Sequence, residues 1–519
     1  MNIQEAKMEV IHTVRAYTAK DEQGEYKIPQ IRQRPVLLMG PPGIGKTAIV
    51  EQAARACGVG LVSYTITHHT RQSAVGLPLV EKKMYDGREV TVTEYTMSEI
   101  IASVYECMKN TGCREGILFI DEVNCVSETL APTMLQFLQG KTFGNHRVPR
   151  GWVIVAAGNP AEYNKSVREF DIVTLDRVKK IEVDVDYPAW KVYAAEKEIH
   201  GAIRSYLQGK PQYFYRIEQN PDGKEFVTAR GWEDLSVILK QYEDMDVAVS
   251  EGLILQYLQC REIAEDFASY YKFYQKCSET YRKEIENVLM GEVENSEQNS
   301  DRKEEIPMTD WPLDEQLTVS GLLISQVLAH VSHWKASEIR MHRMEEVWQL
   351  MERQVQGEEN IFQAVEEFFK KRAFALEVKE QTETIGEAEA HLERQVDREL
   401  KKMTAELRKN GCRSRQEVKR CFAETMQNKK LELEREARTR AEELNRALGW
   451  IAEKFGTGTP FLTAMETVTV HEGCMELIQE QSCPVYEENC GILMMRDREK
   501  RLREKIQRMQ ETGLVLNPD

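Results

Sequence analysis

Eight consecutive residues, Gly40-Pro41-Pro42-Gly43-Ile44-Gly45-Lys46-Thr47, combine closely spaced glycines with a terminal Lys-Thr pair. Glycines at this spacing let backbone N–H groups curl around an anion, and a helix opening at the lysine adds the positive end of its dipole. Lys46 would carry its charge to the outer phosphates of a nucleoside triphosphate, and Thr47 would offer a hydroxyl to magnesium. The apolar run Val36-Leu37-Leu38-Met39 before the loop and the small, apolar stretch Ala48 to Ala56 after it supply the strand–loop–helix setting that this Walker A pattern requires.

Hydrolysis at such a loop needs an acidic partner at the end of a neighbouring strand. Ile117-Leu118-Phe119-Ile120 is fully apolar and runs into Asp121-Glu122. Asp121 would hold magnesium, in part through water, and Glu122 would polarise the attacking water. Many strands end in acidic residues, so the pair gains its weight from the glycine-rich loop. The second carboxylate points to water as the phosphoryl acceptor rather than a small molecule. A third run, Trp152 to Ala157, ends in Gly158-Asn159-Pro160. An Asn159 amide there would reach the γ-phosphate or the lytic water, although Gly, Asn and Pro also build ordinary turns.

These side chains need a frame that brings strand ends together. Fully apolar strands alternating with helical stretches predict an α/β fold over residues 1–186, a mostly parallel sheet covered on both faces. Residues 187–290 turn helical, with Asn220-Pro221-Asp222-Gly223 reading as a hairpin turn inside a small second domain. Residues 291–313 are rich in Glu, Asn, Ser and Asp and read as a flexible acidic linker. Helices dominate 314–519. Leu392, Val396, Leu400, Met403 and Leu407 approach a coiled-coil seam, and Leu433, Ala437, Ala441, Leu444, Leu448 and Ile451 repeat the theme beyond Asn410-Gly411. An antiparallel coiled-coil hairpin is the simplest arrangement.

Composition excludes several classes. A formal net charge of −16 over 519 residues disfavours a broad electrostatic grip on nucleic acid or anionic lipid. No apolar run reaches the roughly 18 residues of a membrane span, and Met1 to Arg15 lacks a signal-peptide core. A cytoplasmic location is expected. Eleven cysteines, an odd number, argue against a closed disulfide framework. His471, Cys474, Cys483 and Cys490 cluster without the usual Cys-x2-Cys spacing, so reduced thiols are a better reading than a structural metal.

The first 290 or so residues resemble the MoxR branch of AAA+ ATPases, related to the dynein-type and magnesium-chelatase-type modules. The resemblance implies a P-loop AAA+ three-layer core with a helical lid, using ATP and Mg2+. Asn159 then corresponds to the sensor after the third strand. Thr228-Ala229-Arg230-Gly231-Trp232 resembles the second sensor, which gives Arg230 a γ-phosphate contact. Leu175-Asp176-Arg177-Val178 resembles the segment carrying an arginine that acts on the neighbouring subunit; Val178 replaces the usual aromatic, and Arg168 competes for the role. Thr129 to Arg150, with Leu130, Met134, Leu135 and Leu138 leading into Gly140 to Pro149, resembles the helix and hairpin before the first sensor. Ser73-Ala74-Val75-Gly76-Leu77-Pro78 resembles a loop facing the ring axis, and Asp86-Gly87 signals a hairpin in the insertion that follows. These loops are candidate substrate contacts, and His68 and His69 before them read as polar loop residues.

A site completed in trans demands a head-to-tail homo-oligomer, whose subunit angle would follow nucleotide state; the resemblance implies a hexameric ring. The implied activity is chaperone-like remodelling or maturation of a protein partner, in this family often one with a von Willebrand factor A domain. The C-terminal 200 or so residues carry the resemblance weakly. The alternatives are a metal-chelatase-type motor subunit and, less favoured by the acidic balance, a nucleic-acid-associated motor.

Overall fold

Period-two alternation within buried strands organises the N-terminal part of the chain. Strands β1 (Val36–Met39), β2 (Gly60–Thr65), β3 (Gly116–Asp121), β4 (Trp152–Gly158) and β5 (Lys179–Glu182) form one sheet in the order β2-β3-β4-β1-β5. Every neighbouring pair is parallel. Parallel neighbours need crossover connections, and helices provide them.

The computed structural model describes residues 1–66, 76–85, 88–143, 146–163, 170–220, 223–291, 311–354, 361–381, 385–409 and 415–493. His68, His69, Ser73 to Val75, Asp86-Gly87, Arg168, Pro221-Asp222, most of the acidic linker and Asn410-Gly411 lie outside them. The chain divides into two compact units. One comprises Met1–Ala189, Thr228–Gly231 and Gln363–Gln395, and the other Trp190–Val227, Trp232–Phe362 and Val396–Asp519.

In the first unit, Val36, Leu38, Ile117, Phe119, Val153 and Val155 face helices α1 (Ile3–Thr18) and α2 (Lys46–Cys57). Leu37, Leu118, Ile120, Ile154 and Ala156 face the opposite layer, helices α3 (Glu99–Thr111) and α4 (Ala131–Gly140). The result is a three-layer α/β sandwich. Helix α1 starts with a capping box, in which the Asn2 side chain accepts from Glu5 N and the Glu5 carboxylate accepts from Asn2 N. Its Val10, Ile11 and Val14 are buried against the sheet, each stabilising the unit by roughly 1.5–3 kcal/mol. The polar Met1 to Arg15 segment is therefore an integral part of the core layer.

In the second unit, helix α5 (Gly201–Gly209), most of α6 (Ala229–Asp244) and α7 (Arg261–Met290) enclose an aromatic core of Tyr206, Trp232, Phe267 and Tyr271. Trp232 stands edge-on to Phe267, with ring centroids 5.3 Å apart, and its indole N–H donates to Phe214 O at 3.1 Å. Arg216–Asn220 pairs antiparallel with Gly223–Val227. Helix α8 (Leu313–Gln354) joins the same unit: Tyr270 of α7 and Thr318 of α8 share a 2.9 Å hydrogen bond. Helices α9 (Glu387–Lys409) and α10 (Arg415–Phe455) carry the heptad seams. Glu399 of α9 is bridged by Arg340 of α8 at 3.0 Å and by Lys429 of α10 at 3.4 Å, so ion pairs link the three helices. His471 caps the helix Glu472–Glu480 through Nδ1, and its Nε2 pairs with Ser332 Oγ at 3.1 Å. No helix among the described residues is long and apolar enough to cross a membrane.

Candidate nucleotide-hydrolysis site

The loop of residues 40–45 joins β1 to α2, whose first residue is Lys46. Gly43 and Gly45 have φ of +73° and +96°, a region that L side chains avoid, so the curl of the loop depends on glycine. A Cβ on Gly43 would lie 2.8 Å from Thr228. Lys46 is only 8% exposed. Its ammonium donates to Gly40 O and Pro41 O, both at 2.7 Å, and to Asn159 Oδ1 at 2.8 Å. Burial holds its pKa at about 8, below the usual lysine range; the Asp121 carboxylate opposes that shift and the Arg230 guanidinium adds to it.

Thr47 Oγ1 donates to Asp121 Oδ2 at 3.0 Å, across the gap between α2 and the end of β3. The other oxygen of Asp121 accepts from Glu122 N at 2.9 Å. Glu122 itself has φ +54°, a left-handed conformation that a non-glycine residue keeps only where its surroundings impose it. Among the described residues its carboxylate takes no protein partner. Asn159 follows β4, adjacent to β1 in the sheet, so the strand order delivers its side chain to Lys46. Arg230 arrives from the start of α6, with its backbone N–H donating to Gly43 O at 3.2 Å. Lys46, Thr47, Asp121, Asn159 and Arg230 thus converge, with Glu122 next to them in the chain.

Arg177 stands apart. It follows the short helix Ile172–Leu175, which Asp171 caps by accepting from Thr174 N at 2.7 Å. Its guanidinium donates to the Gln139 side chain. No hydrogen bond or ion pair among the described residues joins it to Lys46, Asp121 or Glu122. Val178, in the place of an aromatic, is buried in the layer beneath α3 and α4.

A residue absent from the sequence reading also belongs here. Asn124 is 2% exposed, and its side-chain amide donates to Asn159 O at 2.8 Å. Its signal was a lone carboxamide three positions beyond Asp121, in a segment where Val123 and Val126 are buried.

The donor set fits a magnesium-bound nucleotide. A hydroxyl and a carboxylate 3.0 Å apart are hard oxygen ligands, and magnesium typically takes only one or two protein oxygens beside substrate phosphates and water. When bound, the ion would neutralise charge on the phosphates. A buried lysine at a helix N-terminus offers the matching cation.

The Lys46 environment makes a testable statement about pH. A lysine lowered to about 8 is increasingly neutral above that pH in the nucleotide-free protein, and pairing with phosphate favours its charged form. ATP binding near pH 8.5 is therefore expected to take up about half a proton or more per site, and affinity should fall as pH rises through about 8. Calorimetry in two buffers of different ionisation enthalpy measures the uptake. Lys46→Arg, which stays charged, should show none from this position.

A parallel sheet with a glycine-rich loop after β1 and a carboxylate at the end of β3, one strand removed from β1 with β4 between them rather than directly beside it as the sequence suggested, defines a P-loop nucleotide-hydrolysing fold. Residues 36–176 match the model of the ATPase family associated with various cellular activities, AAA. The chain thus carries an AAA domain and is an ATPase of the AAA+ type. No curated protein matches the chain.

Proposed function

We propose that this ATPase hydrolyses Mg-ATP to remodel or mature a protein partner, working as a MoxR-like hexameric ring. The observation that carries the reading is the split between two sets of residues. Lys46, Thr47, Asp121, Asn159 and Arg230 converge within one unit, whereas Arg177 lies outside that set on Gln139. An arginine held away from its own P-loop is suited to a neighbour's.

In this reading residues 1–186 are the nucleotide-binding core, 187–290 the lid and 314–519 a helical C-terminal region. Lys46 neutralises the outer phosphates, and Thr47 and Asp121 hold the metal. Glu122 polarises the attacking water. Asn159 and Arg230 register the γ-phosphate, and Arg177 of each subunit meets charge developing in the next site. The insertion Pro78–Tyr85 and Arg88–Tyr95, an antiparallel pair, favours a role in substrate contact. Its Val80 and Met84 are 68% and 66% exposed. An isolated two-stranded hairpin is marginal in water, and exposed apolar side chains of this kind suit a protein partner. The family resemblance makes a von Willebrand factor A domain protein the first partner to try.

The test is ATP turnover per subunit across a concentration series, with oligomer mass measured on the same samples. Turnover should rise steeply where the ring forms. Equal turnover by a stable monomer would remove the ring and its trans-acting arginine from the mechanism.

A further inference from the structure

The turn after β3 and the end of β4 are tied at two points. Val123 N donates to Ala157 O at 2.9 Å, and Asn124 Nδ2 donates to Asn159 O at 2.8 Å. Between Asp121 and these tethers sits Glu122 in its left-handed conformation. Asn159 in turn accepts from Lys46 through its own side chain. A continuous path therefore runs from Glu122 through Asn124 and Asn159 to the P-loop lysine.

The Asn124 carboxamide is tightly confined. A Cβ on Gly158 would lie 2.6 Å from its Oδ1, so only glycine fits beside it. That oxygen is buried without a hydrogen-bond partner among the described residues, which costs stability. An apolar side chain of similar size would avoid the cost and lose the tether.

We infer that Asn124 is a positioning residue for hydrolysis, holding the Glu122 turn and Asn159 at a fixed separation. The inference rests on the roles given above to Glu122 and Asn159. Asn124 touches neither nucleotide nor water in this scheme. It keeps the carboxylate that polarises water and the amide that registers the γ-phosphate moving as one piece, which is what alignment at the reacting phosphorus demands.

Asn124→Leu removes the donor and keeps the branched shape of the side chain, with methyls bulkier than the amide oxygen and nitrogen they replace. Its kcat should fall about 10- to 100-fold, less than the roughly 10²–10³-fold cost of a donor that touches the reacting atoms because Asn124 acts through alignment, with ATP Kd changed less than about threefold. Its thermal midpoint sets relief of the unmet oxygen against the bulk of the added methyls, and circular dichroism on the same sample checks that it is folded. Gly158→Ala presses on the same carboxamide from the other side and should reproduce the kcat loss. The double variant should be no slower than the worse single one, since both act on one contact. Unchanged kcat in well-folded Asn124→Leu overturns the inference, and so does a rise in Kd that accounts for the whole loss. Glu122→Gln and Asn159→Ala, assayed alongside, separate the two levels. If those variants turn over normally, the underlying role assignment fails; if they are impaired and Asn124→Leu is not, only the tether fails.

Discussion

Glu122→Gln is expected to slow ATP turnover by about 10²–10⁴-fold, the range for removing a general base, while ATP affinity stays the same or improves. The substitution keeps the size of the side chain and leaves the turn's backbone contacts in place, including the 2.9 Å bond from Glu122 N to Asp121. It removes only the charge that would polarise water. Binding depends instead on Lys46, Thr47 and the loop, so a protein that binds ATP and holds it uncleaved is the outcome. Single-turnover hydrolysis and equilibrium nucleotide binding on the same preparation separate the two effects. Hydrolysis at the original rate would sink the role of Glu122.

The second large effect belongs to Arg177. At concentrations where the ring forms, Arg177→Ala should lower turnover by about 10³-fold or more, the scale on which arginines supplied to a phosphoryl-transfer site act. Nucleotide binding by the isolated subunit should not change, because Arg177 makes no contact with Lys46, Asp121 or Glu122 among the described residues and pairs with Gln139 instead. A mixing experiment distinguishes trans from cis action. The Arg177→Ala subunit keeps an intact Glu122, and the Glu122→Gln subunit keeps an intact Arg177. Mixed rings contain interfaces in which both groups are present, so two nearly inactive proteins should recover activity together. Recovery absent from verified mixed rings would place the two residues in one subunit's site. Undiminished turnover by Arg177→Ala rings would transfer the role to Arg168.

How much of this was legible beforehand depends on how far along the chain each interaction reaches. The P-loop was readable because its chemistry is contiguous: a strand, a glycine-rich turn and a helix N-terminus lie within Val36 to Cys57. Asp121 and Asn159 were readable because each directly follows or ends an apolar strand, and parallel strands gather their C-terminal ends on one edge. Helix α1 was less visible. Its buried Ala6, Val10, Ile11 and Val14 are interspersed with charges, so the sequence marks an amphipathic segment without showing which layer receives its apolar face.

Amino-acid order alone therefore determined the catalytic chemistry and the α/β class, since both follow from local residue types and strand periodicity. It also marked Arg230 and Arg177, though only through family resemblance. Tertiary structure decided what depends on distant partners. It turned Asn124 into a brace, because the carbonyl it holds lies 35 residues further on. It paired Arg177 with Gln139 across 38 residues. It also drew α8 into one unit with α5, where Gly321 backs onto Ser205, although composition between them reads as a linker. Helix α8 buries residues on several sides, from Leu317 through Val331 to Met351, so no single apolar stripe announces its neighbours. Periodicity reports that a face will be buried; only the packed chain selects what buries it.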